Sequence, residues 1–351
     1  ERKDSPFHIS NILHINYSNF DKPKKDISWI NLKKINFSKK NFFYKFFLAF
    51  FNSFYFVTSW RNFLAWCLLM NQYFSYIIYL ERLDKFKNLK LALIDYDHLC
   101  PKGLIFALKK KNIKIIATQE RFLGGLYSSF YNVIADTYFT CSDYMNERIK
   151  NSKYFQVKNL VSVGQYRADY LSLYENKNTP KEILLQRKMG KKIVVGLGIS
   201  LDAINWFDSS VDISRNWKAQ KNFIDDMIKL SQDIENIFLI LRFINFKWKS
   251  LPYFKDSLKK IKEIENIHIA DNYSESFNSY KYCANADLII ANFTSLADES
   301  LAYGKSLIFY DQTHNLKKVM CETPGYLPKN MFCHNYNDIY EKSKFILSNN
   351  S

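Results

Sequence analysis

Short apolar runs alternate with amphipathic segments along the chain from residue 89 onward. The pattern predicts strands at 91–95, 113–117, 135–140 and 161–163, with helices at 101–110 and 144–150. It resumes with strands at 193–196, 237–243, 267–269, 288–291 and 307–310 and helices at 217–231, 253–264, 277–284 and 295–303. Strands that alternate with helices are typical of βαβ units and a parallel sheet. The chain is therefore predicted to be α/β, with two Rossmann-like domains in tandem and a cleft between them.

The composition changes between residues 174 and 192. This stretch is polar, charged and interrupted by Pro180 and Gly190, which is typical of a linker. We therefore divide the chain into an N-terminal domain of residues 1–175, a linker of 176–191 and a C-terminal domain of 192–351. Ligands of parallel sheets bind beyond the carboxyl ends of the strands, so the loops after each strand are the places to look for chemistry.

Residues 41–80 form an aromatic helical segment of the N-terminal domain. Arg61 is the only charged residue between positions 46 and 80, and a membrane-spanning helix needs about 20 predominantly apolar residues. Polar residues dilute the segment, and its many Tyr, Phe and Trp residues favour membrane interfaces over the bilayer centre. Three interpretations stay open: buried helices, a Lys-flanked surface that lies on a membrane, and a true span. We expect a soluble protein, with peripheral contact to an anionic membrane as an alternative.

The overall composition limits the function classes. Of the 351 residues, 47% are hydrophobic and 24% charged, which excludes a disordered or low-complexity protein. A net charge of +16 favours anionic partners such as nucleic acid, an anionic membrane or phosphorylated substrates. The Lys-rich stretches lack the interleaved aromatics of RNA-binding motifs, so no nucleic-acid partner is expected.

The cysteines and histidines show no metal-binding spacing. The six cysteines are widely scattered without a C-x-x-C pair, and no set of His, Asp and Glu residues has the spacing of metal ligands. We therefore expect reduced thiols and a cytoplasmic protein, with the inner face of the cytoplasmic membrane as an alternative location. We also expect neither a metal nor a cofactor.

The strongest local signal for a ligand site lies in residues 291–305. A predicted strand ends there, and Asn292-Phe-Thr-Ser295 opens a helix. Because N–H groups and small hydroxyls at a helix N-terminus bind phosphate, Asn292, Thr294 and Ser295 are candidate ligands. About one turn later, the carboxylate of Glu299 can accept hydrogen bonds from a ribose diol. The alternative is an ordinary N-capped helix with a solvated glutamate.

Two further candidates for a donor site follow other strands of the second domain. Gly198 belongs to a Gly-Leu-Gly turn after the strand 193–196, where the backbone can approach a phosphate; a simple tight turn explains the glycines equally well. Arg242 lies near the end of the strand 237–243. A fixed cation at this position can neutralise a leaving diphosphate without a metal.

The acceptor side of the predicted cleft offers carboxylates. Asp95 and Asp97 follow the first predicted strand. A carboxylate at the end of a strand is a candidate general base for an acceptor hydroxyl. For Asp97, a capping role before the helix 101–110 is equally consistent.

A family resemblance rests on the order of these motifs. Strand, small polar turn, Thr-Ser-x-x-x-Glu, Gly-Lys and an apolar strand that ends in Asp311 resembles the donor-binding region of GT-B glycosyltransferases. It is similar in particular to the bacterial surface-carbohydrate and capsule transferases, including the related glycerophosphotransferases. The resemblance implies that Thr294 and Ser295 hold the phosphates of the donor and that Glu299 holds its ribose.

The N-terminal half resembles the same group in a turn and a strand end. Gly-x-x-Arg-x-Asp at 164–169 is similar to the turn that closes the first domain of these enzymes. In many relatives the strand near 113–119 ends in Gln-His-Gly, whereas this chain has Gln-Glu-Arg at 119–121. If relatives use that histidine in catalysis, its role here moves to Glu120, Arg121 or elsewhere, and Glu120 becomes a candidate catalytic residue.

The sequence therefore predicts a metal-independent glycosyltransferase. It would move a sugar from a nucleotide-activated donor, bound as a substrate rather than a cofactor, to a growing surface polysaccharide or lipid-linked glycan. Alternatives are a polyol-phosphate transferase of the same fold, a nucleotide-sugar epimerase and a non-catalytic basic protein that binds polyanions. The epimerase would need several acid and base residues around one sugar, and the chain has only six histidines.

Overall fold

The computed structural model divides the chain into two compact units, one that ends at Val163 and one that begins at Gly164. It describes the following residues: 39–55, 57–86, 88–94, 100–119, 133–152, 155–176, 179–198, 217–243, 245–271, 278–292, 294–312 and 331–349. Both units contain a parallel sheet with helices, so the predicted α/β class with two Rossmann-like domains is confirmed.

The first unit contains a four-stranded sheet whose strands follow chain order. The strands are β1 (Leu91–Ile94), β2 (Lys114–Thr118), β3 (Val133–Thr140) and β4 (Phe155–Ser162), and each pairs in parallel with the next. Helix α3 (Lys102–Lys110) connects β1 to β2, and helix α4 (Asp143–Lys150) connects β3 to β4. The core contains apolar residues of both these helices, of β1, β2 and β3, and Leu83.

Two long helices, α1 (Lys39–Phe54) and α2 (Trp60–Leu83), form an antiparallel hairpin in the first unit. Lys45 near the start of α1 pairs with Glu81 near the end of α2 at 3.3 Å. The second half of α2 packs on α3, where a side chain on Gly103 would meet the Tyr76 backbone nitrogen at 2.6 Å. Among the described residues, α2 is the one helix long and apolar enough to cross a membrane by length and composition.

The second unit contains a six-stranded parallel sheet in the order β10-β9-β8-β5-β6-β7. These strands are β5 (Lys192–Leu197), β6 (Ile237–Arg242), β7 (Ile267–Ile269), β8 (Leu288–Ala291), β9 (Leu307–Tyr310) and β10 (Phe332–Cys333). The chain builds β5, β6 and β7 in one direction and then returns to place β8 on the other side of β5. The order of the strands therefore reverses between β5 and β8.

Helices cover both faces of this sheet, which explains its continuous apolar strands. Every residue of β6, β8 and β9 is buried. The helices of the unit are α5 (Asp169–Ser172), α6 (Lys181–Lys188), α7 (Trp217–Asp233), α8 (Lys255–Glu263), α9 (Asn278–Ala284), α10 (Ser295–Ala302) and α11 (Tyr336–Asn349). One core cluster contains α9 and the other contains α7.

The boundary between the units differs from the division into residues 1–175, 176–191 and 192–351. It lies after Val163, and the predicted linker belongs to the second unit. The Glu175 carboxylate binds both Lys305 Nζ and the Tyr303 hydroxyl at 2.6 Å, and Arg187 on α6 donates to the Asn285 carbonyl at 2.8 Å. Within 176–191, Thr179 and Arg187 both donate to Asn285, so these polar residues bind the second unit.

Several predicted elements shift or were absent from the sequence prediction. The strands Ile267–Ile269, Leu288–Ala291 and Leu307–Tyr310 are confirmed as predicted. Strand β4 begins at Phe155, whereas the sequence predicts a strand only from 161. Its residues are half-buried or exposed and form no apolar run, so the sequence pattern is weak there. Helix α6, strand β10 and helix α11 were not predicted from the sequence.

Candidate nucleotide-binding site

The strand order reverses between β5 and β8, which makes their carboxyl ends a topological switch point. Ligands of open α/β sheets bind at such a switch point. The Asn292 N–H donates to the Leu197 carbonyl at 3.0 Å, so the two strand ends are joined directly. Gly198 directly follows β5, and its N–H bonds the Arg242 carbonyl at 2.9 Å. Three of the predicted donor-site residues thus lie at one edge of one sheet.

Gly198 is explained by close packing in the structure. A side chain there would place Cβ 1.9 Å from Cε1 of Phe243. Phe243 is buried, and its ring lies 5.1 Å from that of Trp248. The glycine therefore admits the Phe243 ring beneath the end of β5, and its contact with a donor phosphate stays a prediction.

Asn292 holds the end of β8 and carries a spare acceptor. Its Nδ2 donates to the Tyr310 carbonyl at 2.9 Å, which ties β8 to β9. Its Oδ1 is buried and has no hydrogen-bond partner among the described residues. A buried acceptor without a partner costs about 1–3 kcal/mol, which a donor group on a ligand can recover.

Helix α10 begins beside Asn292, and its N-cap residue makes no capping hydrogen bond. This residue is Thr294, whose backbone is extended. Thr294 and Ser295 are both half-buried. The first N–H groups of a helix lack partners within the helix and carry partial positive charge. This N-terminus has the chemistry to bind a phosphate.

Glu299 lies on α10 but is almost inaccessible to solvent. Its side chain is 2% exposed, and its Oε2 accepts a hydrogen bond from the Tyr280 hydroxyl of α9. Burial and the neighbouring Glu299 carboxylate raise the pKa of Tyr280, so the phenol stays protonated and donates. The Tyr280 hydroxyl thus occupies the carboxylate in the way that a ribose hydroxyl would.

Arg242 is engaged in holding the loops of the sheet edge together. Its Nε donates to Ser279 Oγ at 2.9 Å and its Nη1 donates to the Ala270 carbonyl at 2.5 Å. Its guanidinium also lies 5.6 Å from the centre of the Phe246 ring. Arg242 therefore connects the ends of β6 and β7 to the start of α9, and its action on a diphosphate stays a prediction.

Gln220 is a candidate that sequence reasoning missed. It is fully buried in the first turn of α7, and neither Oε1 nor Nε2 has a hydrogen-bond partner among the described residues. Met227 contacts the position of Gly196, and Gln220 lies about 10 Å before Met227 along the helix axis. Gln220 therefore reaches the level of the carboxyl ends of the strands.

A sequence signal for Gln220 existed in the helical period. The buried residues of α7 include Gln220, Phe223, Ile224, Met227 and Ile228, so Gln220 occupies a position where the period calls for an apolar residue. A buried amide at such a position requires a partner.

The candidate catalytic residues lie outside the described part of the chain. Asp95 directly follows β1 and Asp97 is close behind, while Glu120 comes two residues after β2. The residue before Glu120 is described: Gln119 is buried and its Oε1 accepts a hydrogen bond from the Cys141 N–H at 3.0 Å. The catalytic roles of Asp95, Asp97 and Glu120 stay predictions.

Possible metal ligands do not cluster in the ranges that the structure describes. Within these ranges, no group of three or more His, Cys, Asp or Glu side chains could hold a metal ion. At the end of β9, Asp311 is buried, and its carbonyl lies 2.9 Å from His334 Nδ1.

Comparison with known proteins gives a structural answer only. No sequence-family description and no curated protein sequence matches the chain. Solved structures do match, and they are structures of the GT-B type. The chain shares their fold.

Three of these structures have UDP or a UDP-sugar in their names. The S. aureus MnaA–UDP structure matches with a TM-score of 0.53 and 13% identity over 80% of this chain and 73% of the other. UDP-GlcNAc 2-epimerase from Neisseria meningitidis bound to UDP-GlcNAc gives 0.52 and 12% over the same shares. A further UDP-N-acetylglucosamine 2-epimerase gives 0.54 and 13% over 80% and 70%.

Proposed function

We propose that the second unit binds the nucleotide of a nucleotide sugar and that the protein is a glycosyltransferase. The observation that carries the proposal is the N-terminus of α10 beside the reversal of strand order between β5 and β8. Diphosphates bind where a helix N-terminus meets such a switch point. Two of the fold neighbours are in complex with UDP and UDP-GlcNAc, which supports the same ligand class.

Two unsatisfied amides support a ligand at this edge. Gln220 and Asn292 are buried with free polar atoms within the described residues. Proteins rarely leave such atoms without a partner unless a ligand or water supplies one. A nucleotide carries both hydroxyl donors and phosphate acceptors, so it can satisfy an amide oxygen and an amide nitrogen together.

Glu299 would bind the ribose by exchange of partners. Its carboxylate accepts a hydrogen bond from the Tyr280 hydroxyl. A ribose diol supplies equivalent O–H donors, so it can replace the phenol once the Tyr280 ring moves aside. The buried glutamate then keeps a donor in both states, as a buried charge requires.

Transfer would also need a general base for the acceptor. Asp95, Asp97 and Glu120 are the candidate general bases that take the proton of an acceptor hydroxyl as its oxygen attacks the anomeric carbon. The diphosphate leaves with its charge stabilised by the helix N-terminus and by Arg242. The acceptor would be a growing polysaccharide or a lipid-linked glycan.

A nucleotide-sugar 2-epimerase is the second candidate function. The fold neighbours with TM-scores of 0.52 and 0.54 carry this activity in their names. An epimerase uses acid and base groups on a single sugar and needs no acceptor. The two functions therefore share the nucleotide site and differ in what happens without an acceptor.

The nucleotide site is tested by thermal unfolding with UDP, CDP, CMP, GDP and dTDP. A ligand that binds only the native state adds about 2.7 kcal/mol at a hundredfold excess over its Kd. We expect one nucleotide to stabilise the protein, Glu299→Gln to weaken the response and Tyr280→Phe to keep it. The matched control is Glu263→Gln, which changes an exposed carboxylate of α8. No response to any nucleotide would overturn the proposal. If Glu299→Gln and Tyr280→Phe lost the nucleotide response equally, the role of Glu299 would be structural.

Gln220→Leu tests the amide separately. Removing a buried polar group without a partner should raise the stability of the unliganded protein by about 1 kcal/mol. The same change should reduce the shift in melting temperature with nucleotide. Higher stability with an unchanged nucleotide response would remove Gln220 from the site.

Product analysis separates the two activities. The protein is incubated with UDP-GlcNAc alone and the sugar is followed by proton NMR. Conversion to the 2-epimer without any acceptor would identify an epimerase. An unchanged donor, together with UDP release when a glycan acceptor is added, would support the transferase. Release of the nucleoside monophosphate from a CDP-polyol would instead indicate polyol-phosphate transfer.

A further inference from the structure

The hairpin of α1 and α2 exposes aromatic and aliphatic side chains in regular stripes. On α1 the stripe is Phe43, Phe47 and Phe51, and on α2 it is Trp60, Leu64 and Leu68. These six residues, the hairpin face, are each between 48% and 70% exposed. Within each helix they follow one another at a spacing of four, so each set lies along one side of its helix.

The hairpin is held together by a different set of residues. The rings of Phe50 and Trp66 lie 4.8 Å apart, and those of Phe42 and Phe74 lie 4.5 Å apart. Trp66 Nε1 also donates to Ser53 Oγ at 2.8 Å. The hairpin face is therefore extra apolar surface that the contact between the two helices does not use.

Both stripes lie on one side of the hairpin. With about 100° of rotation per residue, each stripe lies roughly a quarter turn or more away from the residues that face the partner helix. Because the helices are antiparallel, the rotations run in opposite senses and bring the stripes to the same side. The result is a continuous apolar surface two helices wide, larger than the scattered apolar residues normal for a soluble protein.

The charges of the hairpin identify the partner. Between Lys39 and Leu83 there are five basic residues and one acidic residue, Glu81, which pairs with Lys45. Lys40 is exposed and begins the stripe of Phe43 and Phe47. Basic residues beside aromatic rings match the anionic headgroups and interfacial zone of a bilayer. A second copy of this basic surface would offer no opposite charge.

We propose that the hairpin face docks the protein on an anionic lipid bilayer. The hairpin lies along the surface, with its rings among the headgroups and the upper acyl chains. The second half of α2 stays on α3, so the attachment connects directly to the first sheet. This inference is independent of the nucleotide site.

Vesicle binding of the full chain tests the proposal. The protein is sedimented with vesicles of phosphatidylglycerol and phosphatidylcholine, and with vesicles of phosphatidylcholine alone. We expect binding to the anionic vesicles that weakens as NaCl is raised, and at least tenfold weaker binding for the Phe47→Ser/Phe51→Ser variant. The matched control is Phe345→Ser, which removes a ring that is 69% exposed on α11 and should stay within twofold of wild type.

Two further readouts make the outcome decisive. Melting temperature and the nucleotide response of the double variant should equal those of wild type, which separates lost docking from lost folding and from a failed nucleotide site. Wild-type protein that stays in the supernatant with anionic vesicles would overturn the proposal. So would a wild-type dimer that the double variant converts to a monomer without any change in vesicle binding, because the face would then be a self-association surface.

Discussion

The two sheets differ in strand order and in how completely they are covered. In the first unit the four strands follow chain order. The residues of β4 are all half-buried or exposed. In the second unit the order reverses beside β5, and the residues of β6, β8 and β9 are all buried. A reversal opens a crevice at the carboxyl edge, whereas strands in chain order do not.

The difference assigns separate tasks to the units. The second unit places the unpartnered amide oxygen of Asn292 and a helix N-terminus at one sheet edge. The first unit exposes its apolar residues on a hairpin attached to α3. Two units of the same α/β class thus present opposite chemistry, one polar and recessed and the other apolar and exposed.

Gly198→Ala should produce the largest difference between the units. The new Cβ would lie 1.9 Å from Phe243, whose ring is fixed against Trp248. We expect the free energy of unfolding to fall by about 3 kcal/mol, near the upper end of typical costs of overpacking. Hydrogen exchange measured by mass spectrometry should show faster exchange in β5 and β6 and unchanged exchange in β2 and β3.

Gly196→Ala is the matched control for this prediction. Its Cβ would meet Leu241 Cδ2 at 3.1 Å and Met227 at 3.5 Å, and both side chains can adjust. We expect the free energy of unfolding to fall by only about 1 kcal/mol. Equal losses in the two variants, or faster exchange in β2 and β3, would contradict the packing argument.

The contrast between Gly198 and Gln220 shows what the sequence could reveal. The glycine turn was visible after an apolar run, but the ring that requires it comes from Phe243, one strand away. The apolar strands β8 and β9 were predictable because burial on both faces produces uninterrupted apolar runs. Helix α6 was not, since its single buried residue, Ile183, gives almost no periodic signal.

The candidate site was predictable where it depends on one segment of the chain and not where it depends on contacts between segments. The turn at Asn292 and Thr294 is a local feature of one segment, so its residue types indicate its chemistry. The hydrogen bond between Tyr280 and Glu299 joins two helices. Pairings of this kind depend on tertiary packing, which the spacing of residues along the chain does not encode.

Arg242→Met against Gln119→Leu should sharpen the comparison between the two sheet edges. Arg242 donates to Ser279 and to the Ala270 carbonyl, and hydrogen bonds from a charged group contribute about 1.5–3 kcal/mol. The Gln119 side chain accepts a neutral hydrogen bond from the Cys141 N–H, and such a bond contributes about 1 kcal/mol. Urea unfolding should show a larger loss in the free energy of unfolding for Arg242→Met than for Gln119→Leu. Hydrogen exchange should show that each variant destabilises only its own unit. A larger loss for Gln119→Leu would show that the first sheet edge is the more tightly held.

The smallest expected effect is a loss of stability in acid. In each unit we follow one carboxylate whose pKa is lowered in the folded protein. Hydrogen bonds from Lys305 and Tyr303 lower the pKa of Glu175 below its ordinary value of 4.5, and one from the Ile115 N–H lowers the pKa of Asp136 below 3.8. A carboxylate whose pKa is lowered by folding stabilises the protein at pH values above the pKa of the unfolded state. This stabilisation is lost as the pH falls through the pKa of the folded state. Glu175→Gln should remove about 0.5–1 kcal/mol at neutral pH, because the Glu175 side chain is 37% exposed, and should flatten the acid dependence of the second unit. Asp136→Asn should do so in the first. If Glu175→Gln left the acid slope of the second unit unchanged, the contact of residue 175 with Tyr303 and Lys305 at the end of α10 would not depend on this carboxylate.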